Sequence, residues 1–183
     1  MAEKTDEEKK SLILSSIRGV PDFPKQGILF WDVTNILLNP VAFQCTIDLF
    51  TKQYRDQKID VVAGFEARGL IFGAPLALAL GAAFVPLRKP GKLPGAKVFE
   101  EYITEYSTDR IEMHADAIKA GQRVLLVDDL IATGGTLNAG INLVKKVGGV
   151  VVEAACVIEL PFLKGRDKIV GTDLFVLVEK EGE

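Results

Sequence analysis

Short unbroken apolar runs alternate along the chain with longer stretches of helical spacing. The runs are Val61 to Phe65, Ala82 to Leu87, Val124 to Val127, Val150 to Leu160 and Leu174 to Val178. Each predicts a strand, and runs without polar interruption suit a parallel sheet covered on both faces. Apolar periodicity predicts helices over about 69–80 and 137–144 between them. Nearer the start, Leu12, Ile13 and Ile17 share one face of a helix over 7–17, which Gly19 and Pro21 end. Pro40 opens another helix to about Tyr54, with Phe43, Ile47 and Phe50 near helical spacing. Residues 21–27 hold two prolines and a glycine and read as loop; Ile28 to Val33 reads as extended. Arg110 to His114 alternates and predicts a further strand, whereas 95–109 is the least regular stretch. Strands alternating with helices argue an α/β fold with a mainly parallel, twisted central sheet, flanking helices and right-handed crossovers.

Length and composition narrow the class. At 183 residues a single domain spanning 1–183 is expected. The charged residues of about 1–10 are expected to be loosely ordered. A net charge of −3 gives no electrostatic case for nucleic acid. No apolar run reaches about 18–20 residues, so no membrane span is expected. Met1 to Lys10 lacks the apolar core of a secretory signal and the acid-poor character of a transit peptide, which points to the cytoplasm. Cys45 and Cys156 lie far apart, form no metal spacing, and read as buried free thiols of a reducing compartment.

The chemistry concentrates after the run at 124–127. Two adjacent carboxylates, Asp128 and Asp129, follow it, then Leu130-Ile131-Ala132 and the turn Thr133-Gly134-Gly135-Thr136. In an open parallel sheet, ligands sit at the carboxyl ends of the strands. Backbone N–H groups of Gly134 and Gly135, with those opening the next helix, form a pocket for an anion. Thr133 and Thr136 add hydroxyl donors. The turn is not the nucleoside-triphosphate loop, because GxxxxGK[ST] is missing. Carboxylates repel phosphate, so Asp128 and Asp129 should face vicinal sugar hydroxyls, or else a metal ion. Phosphate beside two hydroxyls describes a ribose 5-phosphate.

Other loops carry charge as well. Glu66-Ala67-Arg68 follows the run at 61–65, and Arg68 suits forked contact with pyrophosphate oxygens or a surface ion pair. Arg88, Lys89 and Lys92 surround the Pro90-Gly91 turn and form either a second anion site or a solvated basic turn. Tyr102 and Tyr106 stand among Glu100, Glu101, Glu105 and Asp109, in a stretch that reads as a lid or as an exposed acidic hairpin. His114, the only histidine, reads as structural, and Lys164 to Lys168 reads as a solvated face.

Val127-Asp128-Asp129-Leu130-Ile131-Ala132-Thr133-Gly134-Gly135-Thr136 resembles the phosphoribosyl-pyrophosphate signature of type I phosphoribosyltransferases. More narrowly, the chain resembles the adenine phosphoribosyltransferases. Pro21-Asp22-Phe23-Pro24 with Gly27 to Phe30, Glu66 to Gly69, Arg88 to Gly95 and Glu105-Tyr106 match that family in order. The resemblance implies a type I phosphoribosyltransferase fold with a small N-terminal hood over about 21–36 and a lid over about 95–109. It implies transfer of phosphoribosyl from 5-phosphoribosyl 1-pyrophosphate (PRPP) to adenine, giving AMP and pyrophosphate, in a homodimer. Ala132, Thr133, Gly134, Gly135 and Thr136 would hold the 5-phosphate, and Asp128 and Asp129 the ribose. Arg68, Arg88, Lys89, Lys92 and Tyr106 would serve the pyrophosphate end, with Arg88 a candidate to act across the subunit interface. Glu105 would handle the proton that adenine loses. Phe30 would stack on the purine, the Leu29 backbone would read its edge, and Trp31 would stack beside it or point into the hood's core. Mg²⁺ would arrive bound to substrate, with no direct protein ligand assigned. Two departures bear on this: Ser107 stands where the family usually has Gly, and Trp31 where it carries a polar residue, often Arg. A transferase for another base, such as an N6-substituted adenine, and a non-catalytic PRPP sensor are the alternatives.

Overall fold

The computed structural model describes residues 4–103 and 108–181. The chain divides into two compact units, 1–53 and 54–183.

The first unit opens with helix α1, Asp6–Ser16. Much of the segment expected to be loosely ordered is therefore helical. Its start is fixed by a capping box, in which the Thr5 hydroxyl accepts from the Glu8 N–H and the Glu8 carboxylate accepts from the Thr5 N–H. Strands β1, Arg18–Pro21, and β2, Leu29–Asp32, form an antiparallel hairpin. A short helix α2, Asn35–Leu38, and helix α3, Pro40–Tyr54, follow. Asn39 caps α3 by accepting from the N–H groups of Val41 and Ala42.

The second unit is built on a five-stranded parallel sheet in the order β4-β3-β7-β8-β9. Its strands are β3 Val61–Phe65, β4 Ala83–Leu87, β7 Arg123–Ile131, β8 Val150–Glu159 and β9 Leu174–Glu179. Helix α4, Arg68–Leu80, connects β3 to β4, and helix α5, Gly135–Lys146, connects β7 to β8. Between β4 and β7 lie β5, Lys97–Ile103, and β6, Thr108–His114, paired as an antiparallel hairpin. The stretch expected to be irregular is thus strand from Lys97. Val98 and Tyr102 pack from β5 toward the core, while Phe99 faces outward under the Arg110 guanidinium, 4.7 Å from its ring centre. Lys146, in the last turn of α5, fastens β5 by donating to the Phe99 carbonyl at 2.8 Å.

The core lies on both faces of the sheet, with Ala63, Phe65, Leu126 and Leu143 fully buried on one and Val62, Leu125 and Phe72 on the other. β7 runs in its middle, hydrogen-bonded to β3 on one side and β8 on the other. That position puts the end of β7, with its two aspartates, at the centre of the sheet's carboxyl edge. Asp128 and Asp129 still belong to the strand, which continues to Ile131. Cys45 and Cys156 are buried free thiols. Among the described residues no helix is long and apolar enough to cross a membrane.

Candidate active site

Three loops at that edge enclose a cavity of about 600 Å³. Its lining includes Glu66, Ala67 and Arg68 after β3, Lys89 after β4, and the run from Asp128, in the last residues of β7, through Leu137. Tyr102 of β5 and Asp109 of β6 close another side. β3 and β7 are neighbours, so the Arg68 loop and the diacid meet although about sixty residues separate them.

Glycine at two positions allows the close approaches. A Cβ on Gly69, in the first turn of α4, would lie 2.5 Å from the Val127 carbonyl oxygen and 3.1 Å from Asp128 Oδ1. The helix start can therefore rest on the end of β7 only with hydrogen there. Gly134 has φ +77°, and its Cβ would lie 2.2 Å from the Gly165 carbonyl oxygen. From this turn α5 begins, and its free N–H groups face the space the sequence assigns to an anion.

Asp128 and Asp129 differ in environment. Asp128 is buried and accepts the Asp129 N–H at 2.8 Å. Burial, then the neighbouring Asp129 charge, pushes its carboxyl well above the usual carboxylate range. Asp129 is also buried but is ion-paired with Arg68 through Nε. Burial, with the charges of Asp128 and Asp129 close by, also raises the Cys156 thiol, so it remains protonated and inert.

The basic turn is held by its own carboxylate. Glu66 accepts from Arg88 Nε at 2.8 Å and from the Lys89 N–H at 2.9 Å. The Arg88 bond, foremost, draws the Glu66 carboxyl below its ordinary value. Lys89 Nζ lies 3.9 Å from Asp109 Oδ2, the same oxygen that accepts from the Tyr102 hydroxyl at 3.1 Å. Thr136 of the expected phosphate cup lines the same cavity as the Tyr102 phenol. Burial, in first place, raises that phenol.

Of the residues singled out from sequence, Arg68, Lys89, Asp128, Asp129 and Ala132 to Thr136 come together around the cavity. Arg88 and Lys92 are not in its lining, and Arg88 pairs within its own chain. Glu105 and Tyr106 lie outside the described residues. Leu29, Phe30 and Trp31 belong to the β1–β2 hairpin of the other unit. There Leu29 and Trp31 pack on the Gly19 face, while Phe30 sits edge-on to Phe23 with ring centres 5.0 Å apart. Tyr102 and Asp109 were not read as cavity residues, although they are cross-strand partners. Lys164 to Lys168, read as a solvated face, is exposed except at Gly165, and its Arg166 is bound to buried Glu159. His114 is half-buried and bonds the Pro94 carbonyl, apart from the cavity.

A diacid, a glycine-rich anion cup and an opposing Arg-Lys wall on one parallel sheet define a protein that handles a phosphorylated sugar. The profile of the phosphoribosyl transferase domain matches residues 32–178, and the chain belongs to that family. An adenine phosphoribosyltransferase of Arabidopsis thaliana is 64% identical over 167 residues, covering 91% of this chain and 92% of its own. The crystal structure of the Thermoanaerobacter pseudethanolicus adenine phosphoribosyltransferase is 48% identical, with a TM-score of 0.90, covering 93% of this chain and 99% of that one. The Saccharomyces cerevisiae enzyme, solved with an imino-altritol bisphosphate and adenine, is 42% identical with a TM-score of 0.89, covering 93% and 99%. Within the family, the chain's place is among the adenine phosphoribosyltransferases.

Proposed function

We infer that the protein transfers the phosphoribosyl group of PRPP to adenine, giving AMP and pyrophosphate in purine salvage. The observation that carries this reading is the single cavity joining the Asp128-Asp129 pair, the Thr133-Gly134-Gly135-Thr136 turn and the Arg68-Lys89 wall. Membership among the adenine phosphoribosyltransferases supports the choice of base.

The reaction breaks the bond from the anomeric carbon to pyrophosphate and forms one to a ring nitrogen of adenine, which gives up its proton. Cationic character grows on the ribose ring while negative charge moves onto the leaving pyrophosphate. Backbone N–H groups and hydroxyls of Ala132 to Thr136 hold the 5-phosphate and fix the sugar's position. Asp128 and Asp129 accept from the ribose hydroxyls and favour the cationic ring. Arg68 and Lys89, which line the cavity, stabilise the departing pyrophosphate, a task to which the family resemblance also assigns Tyr106. Glu105 takes the proton from adenine. Phe30 stacks on the base, and the Leu29 backbone reads its edge.

Magnesium fits this cavity. Its described lining holds four carboxylates, Glu66, Asp109, Asp128 and Asp129, against the two cations Arg68 and Lys89. A polyanionic substrate enters such a site more readily when it carries a divalent cation. The ion would be held chiefly by the substrate's own oxygens, beside Asp128 and Asp129. When bound, it would neutralise charge on the leaving group.

We place the enzyme in the cytoplasm as a homodimer. The buried free thiols accord with a reducing compartment. Exposed Ile71 and Leu78 on α4 offer apolar area for a second copy. Fractionation and sedimentation would test these two points.

The deciding experiment is a base panel with purified protein, PRPP and Mg²⁺, following pyrophosphate release. Adenine, N6-substituted adenines, hypoxanthine, guanine and xanthine are offered in turn, with Glu105→Gln and Asp128→Asn alongside. Turnover of adenine, lost in both variants, is the expected result. Preference for a substituted adenine would reassign the base, and PRPP binding without turnover of any base would leave a sensor.

A further inference from the structure

We propose that Gly165 and Arg166, with Glu159, are positioning residues that set the shape of the 5-phosphate cup from behind. The proposal rests on assigning Ala132 to Thr136 to the phosphate. Residues Gly165–Lys168 form a short 3-10 helix outside the cavity lining. They nevertheless touch the cup at its first residue and at its middle. A Cβ on Gly165 would lie 2.4 Å from the Ala132 carbonyl oxygen and 2.7 Å from Ile131 Cγ1. The Gly165 carbonyl, in turn, fills the space where Gly134 would carry a side chain. Two glycine backbones in direct contact therefore fix the left-handed turn from which α5 begins.

Arg166 anchors this contact. Its Nε donates to Glu159 Oε1 and Oε2 at 2.8 and 2.9 Å, and its Nη2 donates to Oε2 at 2.6 Å. Its Nη1 donates to the Leu174 carbonyl at 2.9 Å, where β9 begins. Glu159 is buried and stands in register with Ile131, the residue before the cup. The Leu160 N–H also donates to the Ile131 carbonyl. The fork admits one orientation of guanidinium against carboxylate. Position thus passes from the sheet through Glu159 and Arg166 to Gly165, and from Gly165 to Ala132 and Gly134. Hydrogen bonds to phosphate weaken steeply with distance and angle, so a small shift of these backbone donors is felt in binding.

Arg166→Lys is the decisive variant, because it keeps a cation beside buried Glu159 while removing the fork. Gly165→Ala pushes on the Ala132 carbonyl directly. The measurements are calorimetric affinity for ribose 5-phosphate, KM for PRPP and for adenine, kcat, and thermal unfolding. Since a misplacement of about 1 Å can cost ~100-fold, a loss of roughly tenfold in ribose 5-phosphate affinity is expected in Arg166→Lys. KM for PRPP should rise in step, with KM for adenine and kcat at saturation within about twofold of wild type on the same positional argument. A folded Arg166→Lys protein that binds ribose 5-phosphate as wild type does would overturn the proposal. So would a fall in kcat with both KM values unchanged, which a loosened fold would give. Wild-type protein unable to bind ribose 5-phosphate would overturn the cup assignment itself, and this proposal with it.

Discussion

Arg68 and Asp129 are ion-paired across the cavity, although the proposed reaction assigns them to opposite ends of one substrate. Asp129 is buried and the Arg68 side chain about one-third exposed, so the pair is partly shielded from water. Substrate must therefore exchange partners: ribose hydroxyls for the carboxylate, pyrophosphate oxygens for the guanidinium. Asp129→Asn removes the competing charge. Its affinity for pyrophosphate alone should rise about threefold to tenfold, in keeping with a partly exposed pair worth ~1 kcal/mol. Ribose 5-phosphate should bind more weakly. Titration of each ligand separately reads both, and equal loss of both would refute the exchange.

Asp128 makes stability depend on pH. Its carboxyl is raised by burial, so between the ordinary value of about 3.9 and its own the folded protein binds more protons than the unfolded chain. The slope of unfolding free energy against pH is then negative for this group. Its contribution is fully present below the ordinary value and is lost as pH rises through the folded one. Asp128→Asn should flatten that decline in denaturant unfolding followed from acid to neutral pH. An unchanged profile would count against a raised Asp128.

Gly69 carries a third prediction. Ala there must displace the Val127 carbonyl or the α4 start, and overpacking of this kind costs about 1–3 kcal/mol. Lower thermal stability and loss of PRPP turnover should appear together, since the carbonyl precedes the diacid. Wild-type stability in Gly69→Ala would mean that the helix start can move away freely.

Tyr102→Phe removes one hydroxyl, which donates to Asp109 in the cavity that Thr136 also lines. One net hydrogen bond is worth about 1 kcal/mol, so KM for PRPP should rise about fivefold. Adenine KM should not follow it.

In the β1–β2 hairpin, side-chain alternation separates Phe30 from Trp31. Phe30→Leu should raise the KM for adenine more than Trp31→Leu does, while Trp31→Leu should lower the melting temperature more. Steady-state kinetics and thermal unfolding of the two variants decide between the stacking and core roles.

Parallel strands and both crossover helices were legible because buried strands leave unbroken apolar runs and helices a regular period. The diacid and Gly-Gly turn were legible because anion cups need particular residue types at consecutive positions. Strand Lys97–Ile103 was hidden: Glu100 and Glu101 break the alternation, and outward Phe99 is shielded by Arg110 instead of by the core. Thr5-x-x-Glu8 was a readable capping box, passed over because its neighbours are charged. Arg166 could not be read locally, since its partner Glu159 closes a different strand and only the fold brings them together. Pairing of Arg68 with Asp129 was hidden for the same reason, as it depends on β3 lying beside β7.

The contact between Gly134 and Gly165 also bears on synthesis. Chains emerge from the ribosome N-terminus first, at about 5–20 residues per second. The Thr133-Gly134-Gly135-Thr136 turn is translated some thirty residues before the glycine that seats it. A nascent chain halted before Gly165 holds every cup residue yet lacks the backbone wall behind them. On the proposed assignment, competence to hold the sugar phosphate waits for Gly165 and does not arrive when the signature itself leaves the exit tunnel.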